Sequence, residues 1–140
     1  MPVEAKEFLR QYRNLLAEID NMEAEVEKLR NEAATIRMRN DDERVQSSLI
    51  SDKTGEYATK IADMTIEIMG VRSEAIEKMR EVSRIISLVE NPDYKKLLHM
   101  RYVRCLTFEK IAVKTERSYR HVIRLHGGAL LEISKILEKM

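Results

Sequence analysis

The side chains best suited to chemistry lie in the last third of the sequence. Between Thr107 and Arg124 the string TFEKIAVKTERSYRHVIR sets hydroxyl, cationic and aromatic residues around two short apolar patterns. If Val122, Leu125 and Ala129 face inward on a helix starting at Ser118, the opposite face carries Tyr119, Arg120, Ile123 and Arg124. That face could enter the major groove of double-stranded DNA. Arg120 and Arg124 would then make bidentate contacts to guanine, while Ile123 would meet a thymine methyl or pack against the N-terminal helices. Thr107, Lys110, Lys114, Arg117, Ser118 and His121 surround the same helix start. A single basic residue of this kind is usually a solvated charge, but the cluster at a helix N-terminus suits phosphates.

Catalysis has no comparable foothold. The sequence has no phosphate-cradling glycine loop, no nucleophile motif and no metal-ligand spacing. His121 and His126 are five residues apart, the wrong helical step for joint metal ligation, and His99 reads as a packed or surface histidine. Cys105, alone, excludes an intramolecular disulfide and a multi-cysteine zinc site, and reads as a buried thiol. Eight methionines fit adaptable helix packing. No enzymatic activity, metal or cofactor is expected.

The elements that would position these residues are helical. Four Gly, two Pro, no Trp and 35% charged residues in 140 disfavour a turn-rich sandwich or a Rossmann-type enzyme and favour long polar-faced helices. Residues 1–90 hold 14 Lys and Arg against 19 Asp and Glu, net −5, whereas residues 91–140 hold 11 against 5, net +6. A basic C-terminal module that could meet a polyanion, behind an acidic N-terminal part that would not, is the natural reading. No run approaches the roughly 18 apolar residues of a membrane span, and MPVEAKEFLR lacks a basic-then-apolar signal pattern, so a cytoplasmic location is expected.

From Phe8 apolar residues recur at spacings of four and three through Tyr12, Leu15, Ile19, Met22, Val26, Leu29, Ala33 and Ile36. This is a heptad seam. Residues from about 40 to 55 read as a connector, with a short turn around Val45 to Ile50. A second long helix from near Glu56 carries Tyr57, Ile61, Met64, Ile68, Val71, Ala75, Met79, Val82, Ile86 and Val89. The two helices could fold back as a hairpin or pair between chains.

Asn91-Pro92 supplies an N-cap and an N1 proline, and marks the boundary between residues 1–90 and 91–140. Three helices should follow. The first is PDYKKLLHMRYVRC, in which Arg101 and Tyr102 brace the module. Thr107 caps FEKIAVKT, and Ser118 caps the last helix with an inward stripe of Val122, Leu125, Ala129, Ile133 and Leu137. Ile111 and Ala112 can pack against Val122 and Leu125, the apolar code of a helix-turn-helix. Gly127-Gly128 falls inside the last helix and costs about 1 kcal/mol per glycine relative to alanine unless close packing offsets it.

The string from Leu98 to Ile133 resembles the DNA-binding region four of bacterial sigma factors, including the step of seven residues from Ile111 to Ser118. It is more similar to small phage and prophage proteins of Gram-positive bacteria related to ArpU-like transcriptional regulators. The matching elements are RVQSS at Arg44 to Ser48, RYV at Arg101 to Val103, and SYRHVIRLHGGAL from Ser118 to Leu130. The resemblance implies a phage-encoded transcription regulator whose base-reading positions are Tyr119, Arg120, Ile123 and Arg124. Glu116 stands where such turns often carry glycine, which implies a different turn geometry.

The sequence therefore predicts an all-α protein: long N-terminal helices forming a coiled coil or hairpin, then a helix-turn-helix. Its expected role is sequence-specific regulation of transcription. Double-stranded DNA is the expected ligand, with homodimerisation through the N-terminal helices and RNA polymerase as a further candidate partner. The competing expectation is a coiled-coil adaptor or phage DNA-packaging subunit with weak, nonspecific DNA binding.

Overall fold

Both apolar seams lie on single long helices in a computed structural model that describes residues 2–40 and 47–140. The order is α1 (Pro2–Asn40), α2 (Ser47–Ser87), α3 (Pro92–Leu98), a π-turn (His99–Val103), α4 (Phe108–Thr115) and α5 (Tyr119–Glu138). The fold is all-α, with no strand among the described residues. Residues 41–46 of the expected connector, with the start of its short turn, lie outside the described residues. The remainder of the connector is helical, because α2 begins at Ser47 and runs through Thr54 and Gly55. One internal glycine costs a helix only about 1 kcal/mol, and burial of the seam further along α2 offsets it.

Two compact units are present, and their division does not coincide with the boundary at Pro92. One unit is Leu16–Ser73, and the other joins Met1–Leu15 to Glu74–Met140. The first of these is a hairpin. Ile19, Val26 and Ile68 are buried in it, and Met22, Leu29, Ile36, Ile61, Met64 and Val71 are half-buried. The Tyr57 hydroxyl donates to Glu32 Oε2 at 3.2 Å and Arg72 pairs with Glu23, so the two chain directions are antiparallel. The α1 seam in this unit thus faces the chain's own α2.

In the other unit two cores form. Ala5 and Leu9 of α1 pack with Val82, Ile85, Ile86, Val89, Leu98, Tyr102, Ala129, Leu130 and Ile133. Leu97, Met100, Ile111, Ala112 and Val122 form the second, with Leu106, Phe108 and Leu125 at its edge. The segment from α3 through the π-turn serves both, presenting Leu97 and Met100 to one core and Leu98 and Tyr102 to the other. The sequence reading continued this helix as α. Instead the chain widens, with the Arg104 amide donating to the His99 carbonyl at 3.0 Å. The inward stripe of α5 is likewise split: Val122 and Leu125 belong to the second core, and Ala129 and Ile133 to the first.

The paired glycines of α5 have different surroundings. A Cβ on Gly128 would collide with the Tyr94 hydroxyl and lie 2.8 Å from its Cζ, whereas one on Gly127 meets nothing within 4 Å. Close approach of α3 therefore accounts for Gly128 alone. Gly127→Ala is expected to raise stability by about 0.5–1 kcal/mol, and Gly128→Ala to lower it by displacing the Tyr94 ring. Urea midpoints compared with the parent chain check both, and a shared direction would refute the assignment.

Candidate nucleic-acid interface

Local cap chemistry positions the candidate residues. At Asn91 the side-chain Oδ1 accepts from the Asp93 and Tyr94 amides at 2.9 and 3.3 Å, and Pro92 follows at N1. Thr107 Oγ1 accepts from the Lys110 amide at 3.2 Å and starts α4. Ser118 Oγ accepts from the His121 amide at 3.1 Å and starts α5. Each cap satisfies donors that the first helical turn leaves unpaired.

Between α4 and α5 the turn is set by Glu116, whose φ of 57° and ψ of 37° are left-handed. This corrects the expectation of a different turn geometry. Glu116 adopts the conformation that glycine usually supplies, at a cost of about 1–2 kcal/mol, and its amide donates to the Val113 carbonyl at 3.3 Å. The Arg117 amide donates to the Ala112 carbonyl at 3.0 Å and completes the turn. Ile111, Ala112 and Val122 are buried beneath it.

Above that core the side chains at the start of α5 face solvent. Tyr119 is 50% and Ile123 39% exposed, and Arg120 and Arg124 are exposed. Thr107, Lys110, Lys114, Ser118 and His121 are exposed as well, whereas Arg117 is half-buried. Arg117 reaches back to α3, with Nη2 3.3 Å from Asp93 Oδ1 and Nη1 3.3 Å from His121 Nε2. The Arg117–Asp93 bridge lies near the surface and contributes at most about 1 kcal/mol. It does orient Arg117 and His121 beside the α5 N-terminus. The first turn of α5 holds no acidic residue, unlike that of α4 with Glu109, so the positive end of its dipole has no carboxylate of its own.

The sequence reading missed three residues here. Asp93 lies 24 positions from Arg117, and no local pattern connects them. Val113 is 79% exposed on α4, opposite the buried Ile111–Ala112 pair. His126 stands outside the expected apolar stripe, yet is only 7% exposed. The Tyr102 hydroxyl and His126 Nε2 share a hydrogen bond at 2.6 Å, and Phe108 meets the imidazole edge-on at 4.8 Å between centroids. Arg101 braces the same corner as expected, its guanidinium 4.2 Å from the Phe108 centroid and Nη1 donating to the Leu106 carbonyl at 3.0 Å.

Burial pushes the His126 imidazole down from 6.5 to about 4, and the charges of Lys6, Arg101 and Arg10 act in the same direction. Between those two values the unfolded chain binds the proton and the folded chain does not. Stability therefore falls as pH drops from about 6.5 toward about 4, by up to about 1.4 kcal/mol per unit. Urea midpoints at pH 7, 6 and 5 should decline more steeply in the parent than in His126→Gln, which does not titrate. Parallel profiles would contradict a buried neutral imidazole.

A family model described as a protein of unknown function (DUF1492) matches residues 38–133, more than half of the chain. Among curated proteins and among solved structures nothing matches.

Proposed function

We propose that this chain, which belongs to the DUF1492 family, is a sequence-specific DNA-binding regulator of transcription that reads the major groove with α5. The observation that carries the reading is the exposed row Tyr119, Arg120, Ile123 and Arg124 just past the Ser118 cap. It stands on a core of Ile111, Ala112 and Val122 and is held at a fixed angle to α4 by the left-handed Glu116. In helix-turn-helix proteins the N-terminal residues of the second helix contact base edges, and two capped helices joined by a tight turn support the same role here. Lys110, Lys114, Arg117 and His121, with the Thr107 and Ser118 hydroxyls, would hold the flanking phosphates.

By its resemblance to ArpU-like regulators we place the protein in phage or prophage gene control, acting in the cytoplasm, with RNA polymerase a further partner of the same module. Pairing of two copies through the N-terminal helices is part of the proposal. With Ile19 and Val26 buried inside the hairpin, pairing would use outward side chains of that unit such as Ile66 and Met69, which are 67% and 60% exposed.

The test is selection of bound duplexes from random DNA, followed by titration of the selected and a scrambled duplex at several salt concentrations. Phosphate contacts alone imitate tight binding at low salt. A selected motif bound at least about 10³-fold more tightly than scrambled DNA supports a specific regulator. No enriched motif, with binding that vanishes as salt rises, would replace it by the adaptor or packaging reading.

A further inference from the structure

The tertiary structure redistributes the charge that the sequence divides at Pro92. Residues 16–73 carry net −5, and the unit made of residues 1–15 and 74–140 carries net +6. Residues 1–15 are net +1, so the one basic stretch at the start of α1 belongs to the basic unit. Lys6, Arg10 and Arg13 follow one another at four and three residues, each one position past Ala5, Leu9 and Tyr12 of the inward face. Ala5 and Leu9 are fully buried against Tyr102 and Ala129, which sets this row at the rim of the α1 contact with the π-turn and α5. Lys6 and Arg13 are half-buried and Arg10 is exposed.

Arg101 lies at the same rim. Its guanidinium covers the Phe108 ring at the first residue of α4, and its Nε is buried with no hydrogen-bond partner. The charges of Arg13 and Arg10 bear on Arg101 and Tyr102, and that of Arg13 on Cys105. Among the described residues none of Lys6, Arg10, Arg13 and Arg101 forms an ion pair, although Glu4 and Glu7 are exposed on the same helix. Four cations gathered by the fold outside any ion pair among the described residues repel one another in the free protein, and an anion relieves that repulsion.

We propose that Lys6, Arg10 and Arg13 form a second phosphate-contact site, gripping the DNA backbone outside the segment read by α5, with Arg101 adding to the field. This rests on the DNA-binding reading above. From residue 6 to residue 13 the helix rises about 10 Å, enough to follow about three phosphates of one strand at about 3.4 Å per step along the duplex axis. Among residues 4–15 no large apolar side chain is exposed, so the row offers charge without the apolar anchor that a protein segment needs. Arg101 is already engaged with Leu106 and Phe108, which leaves the α1 row to make the contacts.

The experiment uses the full chain, the selected duplex and the variants Lys6→Gln/Arg10→Gln/Arg13→Gln and Arg10→Gln alone. Affinity is measured across a salt series. The slope of log affinity against log salt should fall by about 2–3 in the triple variant and by about 1 in the single one. The thermal midpoint should hold or rise, because repulsion has been removed. A parent chain that binds no duplex overturns the DNA reading itself. A parent that binds, with unchanged slopes in both variants, overturns only the α1 site. Unchanged slopes together with lost retention on a poly-glutamate resin would assign the row to an acidic protein segment, and overturn it equally.

Discussion

Tyr102→Ala is expected to remove about 3–5 kcal/mol of folding stability. Tyr102 is 1% exposed and ranks among the largest fully buried side chains, in a core that joins α1, α2, α3, the π-turn and α5. Truncation loses the buried ring, leaves a cavity in that core and removes the hydroxyl partner of His126. The last effect can be isolated. Tyr102→Phe keeps the ring and should cost about 1–3 kcal/mol, the penalty of a buried nitrogen left without its partner. Because small domains are stable by only about 5–15 kcal/mol, Tyr102→Ala should bring the unit near to unfolding. Urea denaturation with an unchanged slope and a lowered midpoint is the measurement. A Tyr102→Ala midpoint within 1 M of the parent would show that this core does not carry the fold.

Arg120→Ala/Arg124→Ala should sharply reduce the preference for the selected duplex. Each arginine, if bidentate to guanine, contributes about 1–3 kcal/mol of discrimination, so the double variant should lose about 30-fold to 10⁴-fold of the specificity ratio. Both side chains are exposed and, among the described residues, in no ion pair, so the thermal midpoint should stay within about 1 °C of the parent. Binding to scrambled DNA should persist at low salt through Lys110, Lys114 and the α5 N-terminus. Competition between selected and scrambled duplexes at fixed salt reads the ratio directly. If the double variant keeps the parent's ratio, α5 is not the reading helix, however exposed its face.

The helix starts and the exposed row were legible because their causes are local. Asn91, Thr107 and Ser118 each accept from an amide two or three residues on, so a single side chain in the right place fixes the helix start. The seams of α1 and α2 were legible for the same reason, since 3.6 residues per turn converts spacing into a face. Every seam residue from Tyr57 through Ile86 of α2 to Val89 just beyond it is buried or half-buried. The exposure of Tyr119, Arg120, Ile123 and Arg124 follows from the burial of Val122 and Ala129 on the same helix.

Other features depended on contacts between distant residues. A seam specifies that a partner exists and not which chain provides it; Tyr57 with Glu32 and Arg72 with Glu23 place that partner in the same chain. The left-handed Glu116 is set by tertiary closure of the turn over Ile111 and Val122, against the residue's own preference. Gly127 and Gly128 are identical in sequence terms, and only the Tyr94 ring distinguishes them. His126 falls outside the apolar stripe, and only Tyr102, 24 residues away, gives it a buried partner.

By itself, then, the sequence determined the helices, their caps and the face that α5 presents, because hydrogen bonds and periodicity within a few residues decide them. The tertiary structure alone decided that the first turns of α1 join the basic unit, that α1 and α2 form a hairpin, and that Lys6, Arg10 and Arg13 stand near Arg101. Burial of Ala5 and Leu9 against residues about seventy to one hundred and thirty positions away fixes that arrangement, and no local spacing encodes a contact of that length.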